Sequence, residues 1–163
     1  AIVRSNTEGK LVDVSVVTRV SARSESLLKM VREPELWPKV IPSVRRVVVT
    51  AREPTSIEYD MTVSAMMSEV VTTFRMTFEP GAADMLAISG PIKGARIRWD
   101  IRPDATTSPN QTPGSVAVWR ANLHLSDTSA LLRAMLRIEP SFEHSANLTM
   151  GLLSVRALVA QLH

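Results

Sequence analysis

Residues 140–163 carry a mainly apolar series in steps of three and four: Phe142, Ala146, Leu148, Thr149, Leu152, Leu153, Val155, Leu158, Val159 and Leu162. Such steps return to one side of a 3.6-residue helix, so the segment predicts a long C-terminal helix with a broad apolar face. Upstream, from Val12 to Leu125, the pattern is mostly that of strands. A single long amphipathic helix that follows a run of strands buries its stripe against the sheet they form. Helix and sheet then either make a solid core or enclose a cavity, and the function turns on which.

The strands are read from alternation. In Leu11–Val20, Val12, Val14, Val16 and Val20 share one face, and Asp13, Ser15 and Arg19 the other. Val44–Arg52 is the next strand. Residues 57–66 alternate Ile57, Tyr59, Met61, Val63 and Ala65 against Glu58, Asp60, Thr62 and Ser64, and residues 69–78 put Val70, Thr72, Phe74, Met76 and Phe78 on one side. Shorter runs at 85–89 and 95–102 follow, the latter with Ile97, Trp99 and Ile101 on one face, and 115–125 is the last strand. This alternation belongs to an antiparallel sheet with one buried and one wet face. Between the first two strands, Ser24 or Ser26 can cap a short helix carrying Leu27, Leu28, Met30 and Val31. Pro34 ends that helix and opens a second helical turn through Trp37. Residues 103–114 read as a polar loop, and 128–138 as a helix broken from the last one by Pro140.

The expectation is an α+β fold: a curved antiparallel sheet of about seven strands wrapped around a long C-terminal helix, with two short helices after the first strand. Residues 1–10 are expected to be an N-terminal arm and 11–163 one domain.

Composition excludes several classes of function. The chain has no cysteine, so disulfides, thiol catalysis and thiolate metal sites are out. Its net charge of +3 is modest and its arginines are scattered. Nucleic-acid binding is not expected, since that calls for a denser basic stripe with interleaved aromatics. Peripheral attraction to an anionic membrane surface is compatible with such a charge. No apolar run is long enough to span a bilayer. The expectation is a soluble protein, cytoplasmic or exported with its signal peptide removed.

Two short stretches carry a family resemblance. The segment Leu36-Trp37-Pro38-Lys39-Val40-Ile41-Pro42 is similar to the aromatic-Pro-x-x-x-Pro segment after the first helix of the START-like, helix-grip superfamily (SRPBCC). The segment Gly90-Pro91-Ile92-Lys93-Gly94-Ala95-Arg96-Ile97-Arg98-Trp99, continuing to Pro103, resembles its Gly-Pro-aromatic-basic stretch leading into a Trp-x-aromatic-x-Pro strand, with Ile92 and Ile101 replacing aromatic residues. The closest likeness is to the coenzyme Q-binding protein and polyketide cyclase/dehydrase group. The resemblance implies a hydrophobic cavity between sheet and long helix that holds a lipid, isoprenoid quinone or polyketide-like molecule. It transfers no catalytic set.

The candidate residues follow from both readings. Eight methionines supply flexible, polarisable side chains suited either to gap-filling in a core or to an adaptable pocket. Three Trp, one Tyr and three Phe are little bulk with which to fill a half-barrel. The expected ligand contacts are Trp37, Tyr59, Met61, Met66, Phe74, Met76, Phe78 and Trp99, joined on the helix by Phe142, Ala146, Thr149, Met150 and Leu153. Tyr59 stands out because a buried phenol needs a hydrogen-bond partner, whether backbone, water or a ligand carbonyl.

The last strand has two readings. Patterning puts Trp119 inward and Arg120, Asn122 and His124 outward; a bulge would reverse that and line the cavity with donors. A cyclase would need a general base and an enolate donor, and Tyr59, Arg120 and His124 are the only set that can be assembled. No nucleophile elbow, phosphate loop or metal-ligand spacing occurs, so neither a cofactor nor a metal is expected. The sequence thus favours binding, carriage or sequestration of a hydrophobic small molecule, with a polyketide cyclase/dehydrase as the alternative.

Overall fold

The computed structural model describes residues 1–8, 11–65, 68–106, 113–123, 137–139 and 141–160. Met66, His124, Pro140, Leu162 and nearly all of the helix expected at 128–138 lie outside them, as do the side chains of Phe142 and Leu158. Among the described residues there are eight strands: β1 (Ile2–Ser5), β2 (Leu11–Val20), β3 (Val44–Arg52), β4 (Ser56–Ala65), β5 (Ser68–Glu79), β6 (Ala82–Ser89), β7 (Arg96–Pro103) and β8 (Ser115–Asn122). The helices are α1 (Ser24–Arg32), α2 (Trp37–Val40) and α3 (Ser141–Ala160), with a 3-10 turn at Pro34–Leu36. This is the expected α+β helix-grip arrangement with one strand more. Part of the segment expected to be an arm, Ile2–Ser5, pairs antiparallel with β2.

The strands form one antiparallel sheet in the order β1-β2-β8-β7-β6-β5-β4-β3. From β3 to β8 the chain meanders through neighbouring strands, and β2 then lies against β8. From β3 to β7 the links between strands are only two to six residues long. At the β6–β7 link, Gly90 and Gly94 have φ of 93° and 92°, in the left-handed region. A Cβ on Gly90 would lie 2.7 Å from the Val71 carbonyl oxygen, so this turn also packs tightly on β5.

The buried face follows the alternation in β4 to β8. Ile57, Tyr59, Phe74, Met76, Met85, Trp99, Ile101, Ala117, Trp119 and Ala121 are all buried. β2 departs from it at one position. Arg4 pairs with Asp13 but Ser5 with Leu11, so Val12 is an extra residue in the ladder. This bulge leaves Val12 exposed while Leu11 and Val14 both face the core. Leu27 and Val31 anchor α1 on the buried face. Its N-cap is Arg23, without the side-chain cap expected from a serine.

The long helix is rotated from its expected orientation. The deeply buried line is Asn147, Gly151 and Val155, spaced four apart. Leu152 and Leu153 are 49% and 50% exposed, and Thr149 is exposed. Gly151 explains the rotation. An added Cβ there would come within 2.5 Å of Trp119 Cζ3 and 2.9 Å of Val16 Cγ2, so only a glycine lets the helix sit this close to β2 and β8. Asn147 closes the contact: its side-chain oxygen accepts from the Leu123 backbone N–H at 3.0 Å, and its amide donates to the Glu143 carbonyl at 3.0 Å. At the helix start, His144 Nε2 and Ser5 Oγ are 2.9 Å apart, which ties β1 to α3.

Candidate functional site

Where α3 rises from the sheet beside Gly151, a cavity of about 60 Å³ remains. Its walls come from four directions. Trp37 and Ile41 bound the α2 side, Val44, Met61 and Val63 belong to β3 and β4, Met85, Ile97, Trp99 and Trp119 form the floor, and Met150 and Ser154 descend from α3. Ser43 and Leu123 complete the lining. The floor is set by register, since Trp99 is paired directly with Trp119 across β7 and β8. The lining carries no charged side chain, and its only polar side chains apart from the indoles are the hydroxyls of Ser43 and Ser154. Such a surface suits an apolar occupant.

Of the expected contacts, Trp37, Met61, Trp99 and Met150 line this cavity. Tyr59, Phe74 and Met76 are fully buried in the same apolar core but are not among the residues that line the cavity. Phe78 lies toward the end of β5, where the Arg32 guanidinium sits 5.1 Å from its ring centroid, and it belongs to the α1 contact. On the helix, Ala146 is half-buried, while Thr149 and Leu153 face outward, a correction that follows from the closest approach at Gly151.

Arg120 also needs correction as a cavity residue. β8 keeps unbroken register with β2 and β7 from Ser115 to Ala121, so no bulge reverses its faces. Arg120 is exposed and pairs with Asp100 at 3.2 Å. Asn122 donates to the Val12 carbonyl at 2.9 Å. Met85, Trp119, Leu123, Ser43 and Ser154 were not among the expected contacts. Alternation already placed Trp119 and Leu123 inward; the serines carried no signal.

Tyr59 is the unusual group. Its ring stacks on Phe74 and meets Trp37 edge-on, both at 5.8 Å between centroids. It is fully buried, and its hydroxyl has no hydrogen-bond partner among the described residues. Burial pushes its pKa well above the ordinary value, because the phenolate would lose its hydration. An unpaired buried hydroxyl costs about 1–3 kcal/mol.

The charged groups gather on the opposite, wet face. Arg98 reaches Glu79 at 2.9 Å, Asp100 at 3.0 Å and Asp84 at 3.6 Å. The hydrogen bond from Arg98, and then its charge, hold Glu79 below the usual carboxylate range. Among the described residues, no three His, Asp or Glu side chains gather as a metal site would require, and no helix is long and apolar enough to cross a membrane.

Solved structures share this architecture. A START superfamily protein from Mycobacterium smegmatis superposes with a TM-score of 0.69 at 15% identity, over 92% of this chain and 96% of that one. A STAR-related lipid transfer protein from Xanthomonas axonopodis gives 0.63 at 18% identity, over 98% and 90%. The Zhui aromatase/cyclase from Streptomyces sp. R1128 gives 0.60 at 14% identity, over 92% of each chain. At these identities the likeness establishes the START-like, helix-grip fold. No curated protein matches the sequence. The model of the family described as polyketide cyclase/dehydrase and lipid transport matches residues 20–154. With most of its length matched, from the end of β2 into α3, the chain belongs to the polyketide cyclase/dehydrase and lipid transport family.

Proposed function

We propose that this protein binds a hydrophobic small molecule, a lipid, isoprenoid quinone or polyketide-like compound, between its sheet and α3, and carries or sequesters it. The observation that carries the reading is the chemistry of the lining: three indoles, three methionines and aliphatic side chains, with two serine hydroxyls and no charge. Family membership and the lipid transfer and START neighbours support the same class of ligand. Trp37, Met61, Trp99 and Met150, joined by Met85 and Trp119, are the proposed contacts. The cavity of about 60 Å³ is small beside the roughly 300–1,000 Å³ of small-molecule sites. Binding therefore widens it, and Met61, Met85 and Met150 provide walls that change rotamer at little cost. A net charge of +3 suits loading at an anionic membrane surface.

A cyclase needs an acid–base group against its substrate. The described lining offers none, so carriage is the preferred reading. Native mass spectrometry of the purified protein, with organic extraction and a panel of lipids and quinones, tests it. A bound or acquired apolar ligand that raises Tm is the expected result. A protein that is empty and takes up none of them would overturn the reading.

A further inference from the structure

Tyr59 is the one tyrosine of the chain, and its hydroxyl is buried without a partner among the described residues. The phenol has lost water and received nothing, which native interiors seldom tolerate without a reason. It stands on the concave face of β4, two residues from Met61, which lines the cavity. Trp37 also lines the cavity, and its ring meets the Tyr59 ring edge-on. One indole therefore touches both the cavity and the ring that carries the unsatisfied hydroxyl.

At about 60 Å³ the cavity is several-fold smaller than a small-molecule site, so a ligand must displace a wall. Trp99 and Trp119 sit on central strands paired on both sides. Trp37 sits on a four-residue helix, and its Nε1 makes one hydrogen bond, to the Met30 carbonyl at 3.2 Å. Among the three indoles, it is the one with the least backbone holding it.

We propose that an entering ligand displaces the Trp37 indole and accepts a hydrogen bond from the Tyr59 hydroxyl on a carbonyl oxygen, so that the pocket selects apolar ketones or quinones over hydrocarbons of the same shape. This deepens the preceding reading and rests on it. The phenol is protonated at neutral pH even at its ordinary pKa of 10.0, and burial only reinforces this, so it is a donor that needs an acceptor.

Two fluorescent probes test the assignment: propionyl-dimethylaminonaphthalene, a ketone, and the propyl analogue that lacks the carbonyl. Tyr59→Phe keeps the ring and its stacking. It should weaken the ketone about tenfold, the effect of roughly one hydrogen bond, and leave the propyl analogue unchanged. The same substitution should raise the Tm of the empty protein by about 2–4 °C, because it removes an unsatisfied group. Trp37→Phe should tighten both probes alike by removing part of the wall they displace.

Equal effects of Tyr59→Phe on the two probes, or none, would sink the assignment and leave the pocket reading standing. A serine hydroxyl of the lining would then be the donor. A lower Tm for empty Tyr59→Phe would mean that the phenol already has a partner, with the same consequence. Weaker binding of both probes to Trp37→Phe would overturn the displacement step. If neither probe binds the wild-type protein, this proposal fails, while the pocket reading stands or falls with the lipid and quinone panel.

Discussion

At Gly151 one missing methyl group determines how close α3 comes to the sheet. Trp119 lies below it, and the cavity opens at its neighbours Met150 and Ser154. Gly151→Ala would gain about 1 kcal/mol of helix propensity but force a Cβ into the indole, an overpacking cost of about 1–3 kcal/mol. We expect a net loss of about 1 kcal/mol in urea unfolding; an increase in stability would show that the helix lifts freely. This position was readable in principle, because an interior helical glycine is disfavoured and asks for a packing reason. Counting apolar residues missed it, and missed Asn147 for the same reason: the centre of the buried face is a glycine and an amide. The amide is needed because Leu123 N–H lies just past the end of β8, where no strand partner accepts it.

At the scale of elements, alternation located all seven main strands, because period two is unambiguous when one face is buried. It failed where the ladder itself is irregular. Val12 was assigned inward, and only the pairing of Arg4 and Ser5 with Asp13 and Leu11 reveals the bulge. The two readings of β8 are separated by cross-strand register, which one strand's sequence does not contain. That register sets Arg98 directly opposite Arg120, a like-charge pair that would repel. Asp100 bonds to both, and Glu79 and Asp84 add further negative charge around Arg98.

These contacts give stability a pH dependence of definite sign. Glu79 has a folded pKa below its ordinary 4.5, so its pairing stabilises the fold above about that pH and is lost as pH falls through the lower folded value. Its side chain is half-exposed, and solvent screens the effect. Arg98→Met should therefore lower Tm at neutral pH, with the difference from wild type narrowing as pH falls below 4.5. A difference independent of pH would assign the loss to packing.

For the molecule as a whole, the sequence conveyed the architecture because it is written in element order: strand, short helices, six strands, long helix. It conveyed the site only as a class of side chain. Four expected residues, Trp37, Met61, Trp99 and Met150, meet at the cavity from α2, β4, β7 and α3. Tyr59, Phe74 and Met76 share the same face but pack into the core outside the lining, because alternation tells which face a residue takes and not how far along the sheet the cavity lies. The cavity is also a target for filling. Ser154→Leu on α3 should occupy it, weaken binding of the ketone probe at least about tenfold, and leave the empty protein as stable or more so. Unchanged affinity would put the ligand elsewhere.

The adjacency of β2 and β8 also dictates an order of events during synthesis. β2 leaves the ribosome before its partner strand β8, which lies about a hundred residues later. At roughly 5–20 residues per second, the valine-rich β2 waits ~5–20 s before its principal neighbour exists. β1, made before it, is its other neighbour in the sheet, and their bulged pairing places Arg4 beside Asp13. Charges and a bulge at such a strand discourage pairing with the wrong chain. The β1 pairing therefore covers one edge of β2, and the edge that β8 takes stays open until β8 is made.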